Sequence, residues 1–216
     1  MILNSAKNTL ILIKKEIQEI NPNSQLIVVT KTFGMSKILP IIETGHNHFG
    51  ENKVQEAVEK WEPVKAKNKN IKLHLIGKLQ TNKVKFCFPL FDYIHGLDSI
   101  KLAEKIANEQ VKKNFRPKIF IQINIGNEDQ KSGVSQESIV EFYSDLKKDY
   151  DLDVIGLMCI PPFVEDTTPF FKKMESYAKS LNMSHLSMGM SDDYIEALKH
   201  SATFIRVGSK IMGKRI

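Results

Sequence analysis

Cysteine is scarce in this chain of 216 residues. Cys87 and Cys159 stand far apart and form no CxxC pattern. Two isolated thiols argue against a disulfide framework and for reduced, cytosolic cysteines. Long apolar runs are missing as well. None approaches the roughly 20 residues a membrane-spanning helix needs, so no membrane association is expected. The opening MILNSAKNTLILIKKEIQEI lacks a basic start, a long apolar block and a small-residue cleavage site, so no signal peptide is expected. The histidines show no metal-ligand spacing. His46 and His48 lie two apart, with no cysteine or carboxylate to complete a set, and no metal is expected. Neither a low-complexity segment nor a linker interrupts the chain, so one domain over residues 1–216 is expected.

What is present is ordinary for a globular protein: 42% hydrophobic and 26% charged residues, with a net charge of +6. A basic balance admits nucleic acid or an anionic ligand as partner. The lysines are scattered, however. The densest group, Lys65, Lys67, Lys69 and Lys72, has no interleaved aromatics and reads as a solvated polar connection. Nucleic acid is therefore not an expected partner.

Apolar periodicity divides the chain into alternating strands and helices. Strands are expected at 26–31, 47–50, 73–76, 91–96, 118–125, 154–158, 185–187 and 204–207. The clearest is 118–125, where isoleucines alternate with Phe120, Gln122 and Asn124. A leading helix carries Leu10, Ile13, Ile17 and Ile20 on one face. Later helices are expected to start at Ser36, Asp98, Ser135 and Thr168, and one carrying Val54, Ala57, Val58 and Trp61 to close at Pro63. Eight β/α alternations fit a single (β/α)8 barrel of the TIM type, in the α/β class, with an extra N-terminal helix. An open doubly wound sheet is the alternative. It is disfavoured because no GxGxxG follows the first strand.

In such a barrel the ends of the strands carry function. LIVVTK ends in Lys31. Either that lysine snorkels into water, or partial desolvation makes it a nucleophilic amine. The stretches after strands 7 and 8, SMGMS and VGS, bring Gly189, Ser191, Gly208 and Ser209. They form either an anion cradle or ordinary caps and turns. Asp192 and Asp193 would repel an anion there and should point away. Arg206 sits between Ile205 and Val207 in an apolar strand. Its guanidinium needs either a carboxylate or a ligand at the mouth. A lysine, a phosphate cradle and an arginine converging on one mouth suggest pyridoxal phosphate (PLP): aldehyde to Lys31, phosphate to the two loops, ring nitrogen to Arg206.

The segments VVTKT, HFGENKVQE, HLIGKLQTNK, IQINIGNEDQKSG, GLMCIP, HLSMGMSDD and IRVGSKIMG, in that order, resemble the pyridoxal phosphate homeostasis protein family, also called the proline synthetase co-transcribed family. The resemblance covers nearly the whole chain. It implies a barrel like the N-terminal domain of alanine racemase, with PLP as a Schiff base on Lys31. It also implies cofactor contacts from Asn52, Ser191, Arg206, Gly208 and Ser209. Thr30 replaces the family's usual serine before the lysine, Phe33-Gly34 departs from its pattern, and the GKRI ending lacks its frequent close.

An arginine at the ring nitrogen stays charged, so the ring remains a neutral pyridine and a weak electron sink. Racemisation needs an acid or base on each face of the substrate carbon. With the sequence ending at Ile216, no second domain is expected to bring the second one. A cytoplasmic monomer that stores, buffers or delivers PLP, with no catalytic residue and with PLP-dependent apo-enzymes as candidate recipients, is the expectation. A low-activity PLP-dependent amino-acid racemase is the alternative. A Schiff-base aldolase acting on a phosphorylated sugar is a third reading.

Overall fold

A computed structural model describes residues 2–213 and, among their side chains, those from residue 5 onward. The last three residues of the GKRI ending lie outside them. Among the described residues, eight strands form: β1 (Gln25–Val29), β2 (His48–Glu51), β3 (Lys72–Leu75), β4 (Tyr93–Leu97), β5 (Lys118–Ile123), β6 (Asp153–Cys159), β7 (His185–Ser187) and β8 (Phe204–Val207). They pair in parallel in chain order, and β8 closes the ring on β1, with Leu26 beside Ile205 and Ile27 beside Arg206. The helices are α1 (Ile2–Ile20), α2 (Met35–Ile42), α3 (Val54–Lys67), α4 (Ile100–Lys113), α5 (Ile139–Asp149), α6 (Thr168–Ser180), α7 (Tyr194–Lys199) and α8 (Ser209–Met212); a 3-10 turn, Thr81–Phe86, joins β3 to β4. The expected (β/α)8 barrel with an added N-terminal helix is the observed architecture. No described helix is long and apolar enough to cross a membrane.

The two-residue period of each strand splits the core in two. Leu26 and Val28 face outward and join the large cluster between barrel and helices, with Ile38, Ile41 and Trp61. Ile27 faces inward and packs with Phe120, Met158 and Phe204. Arg206 lies level with Ile27 on the neighbouring strand, so it also points into the barrel. The inner apolar cluster is small because histidines, Ser187 and Arg206 occupy other buried positions there.

Several element ends differ from the sequence expectations, for local reasons. Pro63 does not close α3, which runs on to Lys67. Trp61 before it is fully buried. Lys65 after it donates to the Leu90 carbonyl and to Asp92, each at 2.6 Å, so both sides of the proline are held. That anchoring also takes Lys65 and Lys67 out of the supposed lysine-rich connection and into the last turn of α3. Ser99, not Asp98, caps α4, its hydroxyl accepting from the Leu102 N–H. Gly34 rather than Ser36 precedes α2, and Thr167 rather than Thr168 precedes α6. Ser135 starts a turn three residues ahead of the α5 cap, Ser138. Strand β5 stops at Ile123 because Asn124 turns the chain, its side chain bridging the backbone N–H and carbonyl of Glu128. Leu10, Ile13 and Ile17 are buried as expected, whereas Ile20 at the end of α1 is exposed.

Candidate functional site

The C-terminal ends of β1, β2, β7 and β8 surround a cavity of about 250 Å³. Lys31, Asn52, Ser191, Arg206, Gly208 and Ser209 all line it, so the six residues expected to contact the cofactor are brought to one place. Val29, Phe33, Ile76 and Ile160 supply apolar walls.

Lys31 follows β1 in a tightly held loop. Thr30 is buried and its hydroxyl donates to Glu51 Oε1 at 2.6 Å. Thr32 takes φ +69°, and its N–H donates to Glu56 Oε1 at 2.7 Å. Lys60 donates to the carbonyls of Thr30 and Phe33, at 3.0 and 3.2 Å, and lies 2.8 Å from Glu51. The Trp61 indole N–H also reaches Glu51 Oε1, at 2.9 Å. A buried Glu51–Lys60 pair thus grips the loop on both sides of Lys31. Phe33 forms part of the cavity wall. Gly34 has ordinary extended φ (−73°) with open space beside its Cα.

Ser191 does not cap α7, whose cap position is Asp193. Its hydroxyl oxygen accepts instead from the N–H groups of Gly208 and Lys210, at 3.3 and 3.4 Å. Two backbone donors from the loop after β8 therefore converge on an oxygen from the loop after β7, as they would on an anion. The approach is close enough to need glycine. At Gly189, φ is +88° and a Cβ would sit 2.5 Å from that of Ala197; at Gly208 a Cβ would lie 3.2 Å from that of Val29. Asp193 turns away, its carboxylate accepting from the Met190 N–H at 2.6 Å, and burial raises its pKa. Asp192 is the exception to expectation. It stays exposed and lines the cavity, because no hydrogen bond of the kind that turns Asp193 draws it off.

Arg206 is 4% exposed. It donates to Ser187 Oγ at 2.7 Å and to the Cys159 carbonyl at 2.8 Å. Both partners are neutral, so the carboxylate pairing open at the sequence level is not what holds it. Burial lowers its pKa, opposed by Cys159 and Asp193. The Cys159 thiol itself is pushed up to about 12 by burial. Asn52 contributes a buried amide oxygen with no hydrogen-bond partner among the described residues. Its backbone is packed under Gly77, where a Cβ would meet the Asn52 carbonyl oxygen at 2.5 Å. A buried acceptor left open beside a cavity is costly unless a ligand donor meets it.

Comparison with known proteins decides the family. Residues 13–215 match the family model described as alanine racemase, N-terminal domain. A protein of Aquifex aeolicus named pyridoxal phosphate homeostasis protein is 35% identical over 201 residues, covering 89% of this chain and 87% of its own. One of the same name from Haemophilus influenzae is 36% identical over 202 residues, covering 88% and 85%. The chain belongs to the pyridoxal phosphate homeostasis protein family. Among solved structures, PipY of Synechococcus elongatus, with PLP bound, superimposes with a TM-score of 0.87 at 30% identity, covering 96% of this chain and all of PipY.

Against the family's pattern, the Thr30 departure keeps a hydroxyl on Glu51, as a serine could. The sequence reading missed the Glu51–Lys60–Trp61 clamp and the polar partners of Arg206. The one signal available was polar residues at alternate strand positions, such as His74 between Leu73 and Leu75.

Proposed function

We propose that the chain binds pyridoxal 5'-phosphate in this cavity as a Schiff base on Lys31 and serves intracellular PLP homeostasis by storing, buffering or delivering the cofactor. The observation that carries this reading is the convergence of an amine, two anion-suited loops and a buried arginine with neutral partners on one cavity. When bound, PLP supplies an aldehyde that condenses with an amine, releasing one water, and a ring that can withdraw electrons. Lys31 offers the amine. Ser191, Ser209 and the N–H groups of Gly208 and Lys210 suit the phosphate. The open Asn52 oxygen suits a hydroxyl donor, and Arg206 suits the ring nitrogen. The PLP-bound PipY and the naming of the relatives support the same cofactor.

Arg206 holds its charge, so it donates to a ring nitrogen and takes no proton from it. That favours retention over turnover. We read the chain as one domain and a cytoplasmic monomer, with PLP-dependent apo-enzymes as recipients; the unbridged Cys87 and Cys159 fit a reducing compartment.

The decisive experiment is borohydride reduction of the purified, PLP-loaded protein followed by peptide mass spectrometry. A phosphopyridoxyl group on Lys31, absent from Lys31→Ala, is expected. A colourless protein, or an adduct that survives Lys31→Ala, would overturn the assignment. The match to the alanine racemase domain favours a second reading, a racemase of low activity. Of the titratable residues lining the cavity, Asp192 accompanies Lys31 and Arg206. Robust conversion of L-alanine to D-alanine, lost in Lys31→Ala, would establish that reading instead.

A further inference from the structure

Beneath Arg206 a line of polar side chains runs through the barrel. Ser187 Oγ lies 2.9 Å from His95 Nδ1, His95 Nε2 lies 2.9 Å from His74 Nδ1, and His74 Nε2 lies 2.9 Å from His48 Nδ1. Ser187, His95 and His74 are fully buried, and His48 at the start of β2 is partly exposed. His74 stacks on Tyr93 with ring centroids 4.1 Å apart, and His95 stacks on Phe120 at 4.4 Å. These stacks fix both rings. None of the four residues lines the cavity.

The direction of every bond in the line follows from its upper end. A guanidinium only donates, so Ser187 Oγ must accept from Arg206. The hydroxyl proton then goes to His95 Nδ1, the other group in reach. A neutral His95 with an accepting Nδ1 carries its proton on Nε2 and donates to His74 Nδ1. The same logic passes to His74 Nε2 and His48 Nδ1. Protonating His95 or His74 would set donor against donor. The surroundings oppose it too: burial and Arg206 act on His95, while burial, the other histidines and Lys65 act on His74. Only at the far end, where Asp92 and Lys72 flank His48, do opposite charges compete.

We propose that Ser187, His95 and His74 are positioning residues for Arg206. Their one-way hydrogen-bond chain turns the Ser187 oxygen toward the guanidinium, holds Arg206 in place under the cavity, and so sets how tightly the cavity grips the nitrogen end of a heteroaromatic ligand. A carboxylate at the position of Ser187 would hold the arginine as firmly but cancel its charge. A hydroxyl backed by neutral imidazoles holds it and leaves the charge available. The identity of the ligand rests on the PLP reading above; the direction of the chain does not.

Two measurements test this. The first is nitrogen-15 NMR of histidine-labelled, ligand-free protein at pH 7. His74 and His95 should both be neutral with the proton on Nε2; a charged ring, or a proton on Nδ1 of either, overturns the chain. This measurement stands whether or not any variant folds and whether or not PLP binds. The second compares PLP titrations, followed by visible absorption, of His95→Asn and His95→Leu. An asparagine oxygen can replace Nδ1 as acceptor for Ser187, and a leucine cannot. Loss of one well-made hydrogen bond should raise the dissociation constant about tenfold in His95→Leu, with most of it restored in His95→Asn. Equal losses in the two variants, or none in His95→Leu, refute the positioning role. If the wild-type protein binds no PLP while the tautomers are as stated, the PLP reading fails and the chain survives.

Discussion

Acidification from pH 7 to 5 should weaken this protein before its carboxylates are protonated. His46, His74 and His95 are 3%, 0% and 0% exposed. Burial pushes His46 down to about 3, and it holds His74 and His95 well below the ordinary histidine value. In the unfolded chain each imidazole titrates near about 6.5. Above that pH the rings are neutral in both states and cost nothing. Below it the unfolded chain takes up protons that the folded chain refuses. Stability is therefore complete above about 6.5 and is lost as pH falls from there toward the depressed folded values. At pH 5 each ring that stays neutral costs about 2 kcal/mol, so three cost about 6 kcal/mol, against a typical total of about 5–15 kcal/mol. His48, pushed down to about 4 but partly exposed, adds a smaller share. Asp98 and Asp193, raised by burial, work in the opposite direction. Urea unfolding followed by circular dichroism at a series of pH values from 7.5 to 5 measures the slope. His74→Gln removes one titrating ring and should flatten it by about a third. A free energy of unfolding at pH 5 within about 1 kcal/mol of that at pH 7.5 would refute the claim that these rings are buried and neutral.

Two further outcomes follow from the site. Arg206→Gln removes a buried charge whose partners are neutral. PLP affinity should fall about tenfold or more, the worth of a charged hydrogen bond, while urea stability stays level or rises; an unchanged affinity would remove Arg206 from the site. Glu51→Ala strips the buried Lys60 ammonium, the Trp61 indole and the Thr30 hydroxyl of their shared acceptor. Lys60 keeps Glu56 at 3.1 Å, so a loss of about 2–4 kcal/mol is expected in urea unfolding from the stranded indole and hydroxyl donors, with looser PLP binding because the Lys31 loop loses part of its clamp; a near-neutral variant would show that the clamp contributes little.

The barrel was legible because strand burial is written in short-range pattern. The isoleucines between residues 118 and 125 mark β5 without reference to any other strand, and a rule about strand ends then gathers Lys31, Ser191, Arg206 and Ser209. Helix starts were less legible, since cap choice depends on the path of the preceding loop. Ser99 outcompeted Asp98 by one position, and Gly34 led into α2 where Ser36 was expected. Pro63 shows tertiary anchoring overriding a local stop signal. The histidine line was legible only as single polar residues in apolar strands, such as His74, not as a connected set. His48, His74 and His95 stand 26 and 21 residues apart. Only the register of β2, β3 and β4, with the width of the closed barrel, brings them within hydrogen-bond reach of one another and of Ser187. No local spacing encodes that.

The acid weakness at His95 and the proposed grip on a ligand meet at Arg206. A buried guanidinium whose hydrogen-bond partners are a hydroxyl and a carbonyl is unfavourable in the ligand-free protein. Burial keeps the imidazoles below it neutral, and at His95 the charge of Arg206 adds to that. An acid in place of Ser187 would pair with Arg206 and offset its repulsion of His95, while burial would still hold the rings neutral. Such an acid would also neutralise the buried charge that Arg206 presents to the cavity. On the PLP proposal, a ligand carrying negative charge and a ring acceptor would provide what the neutral chain withholds, and its binding would return part of the lost stability.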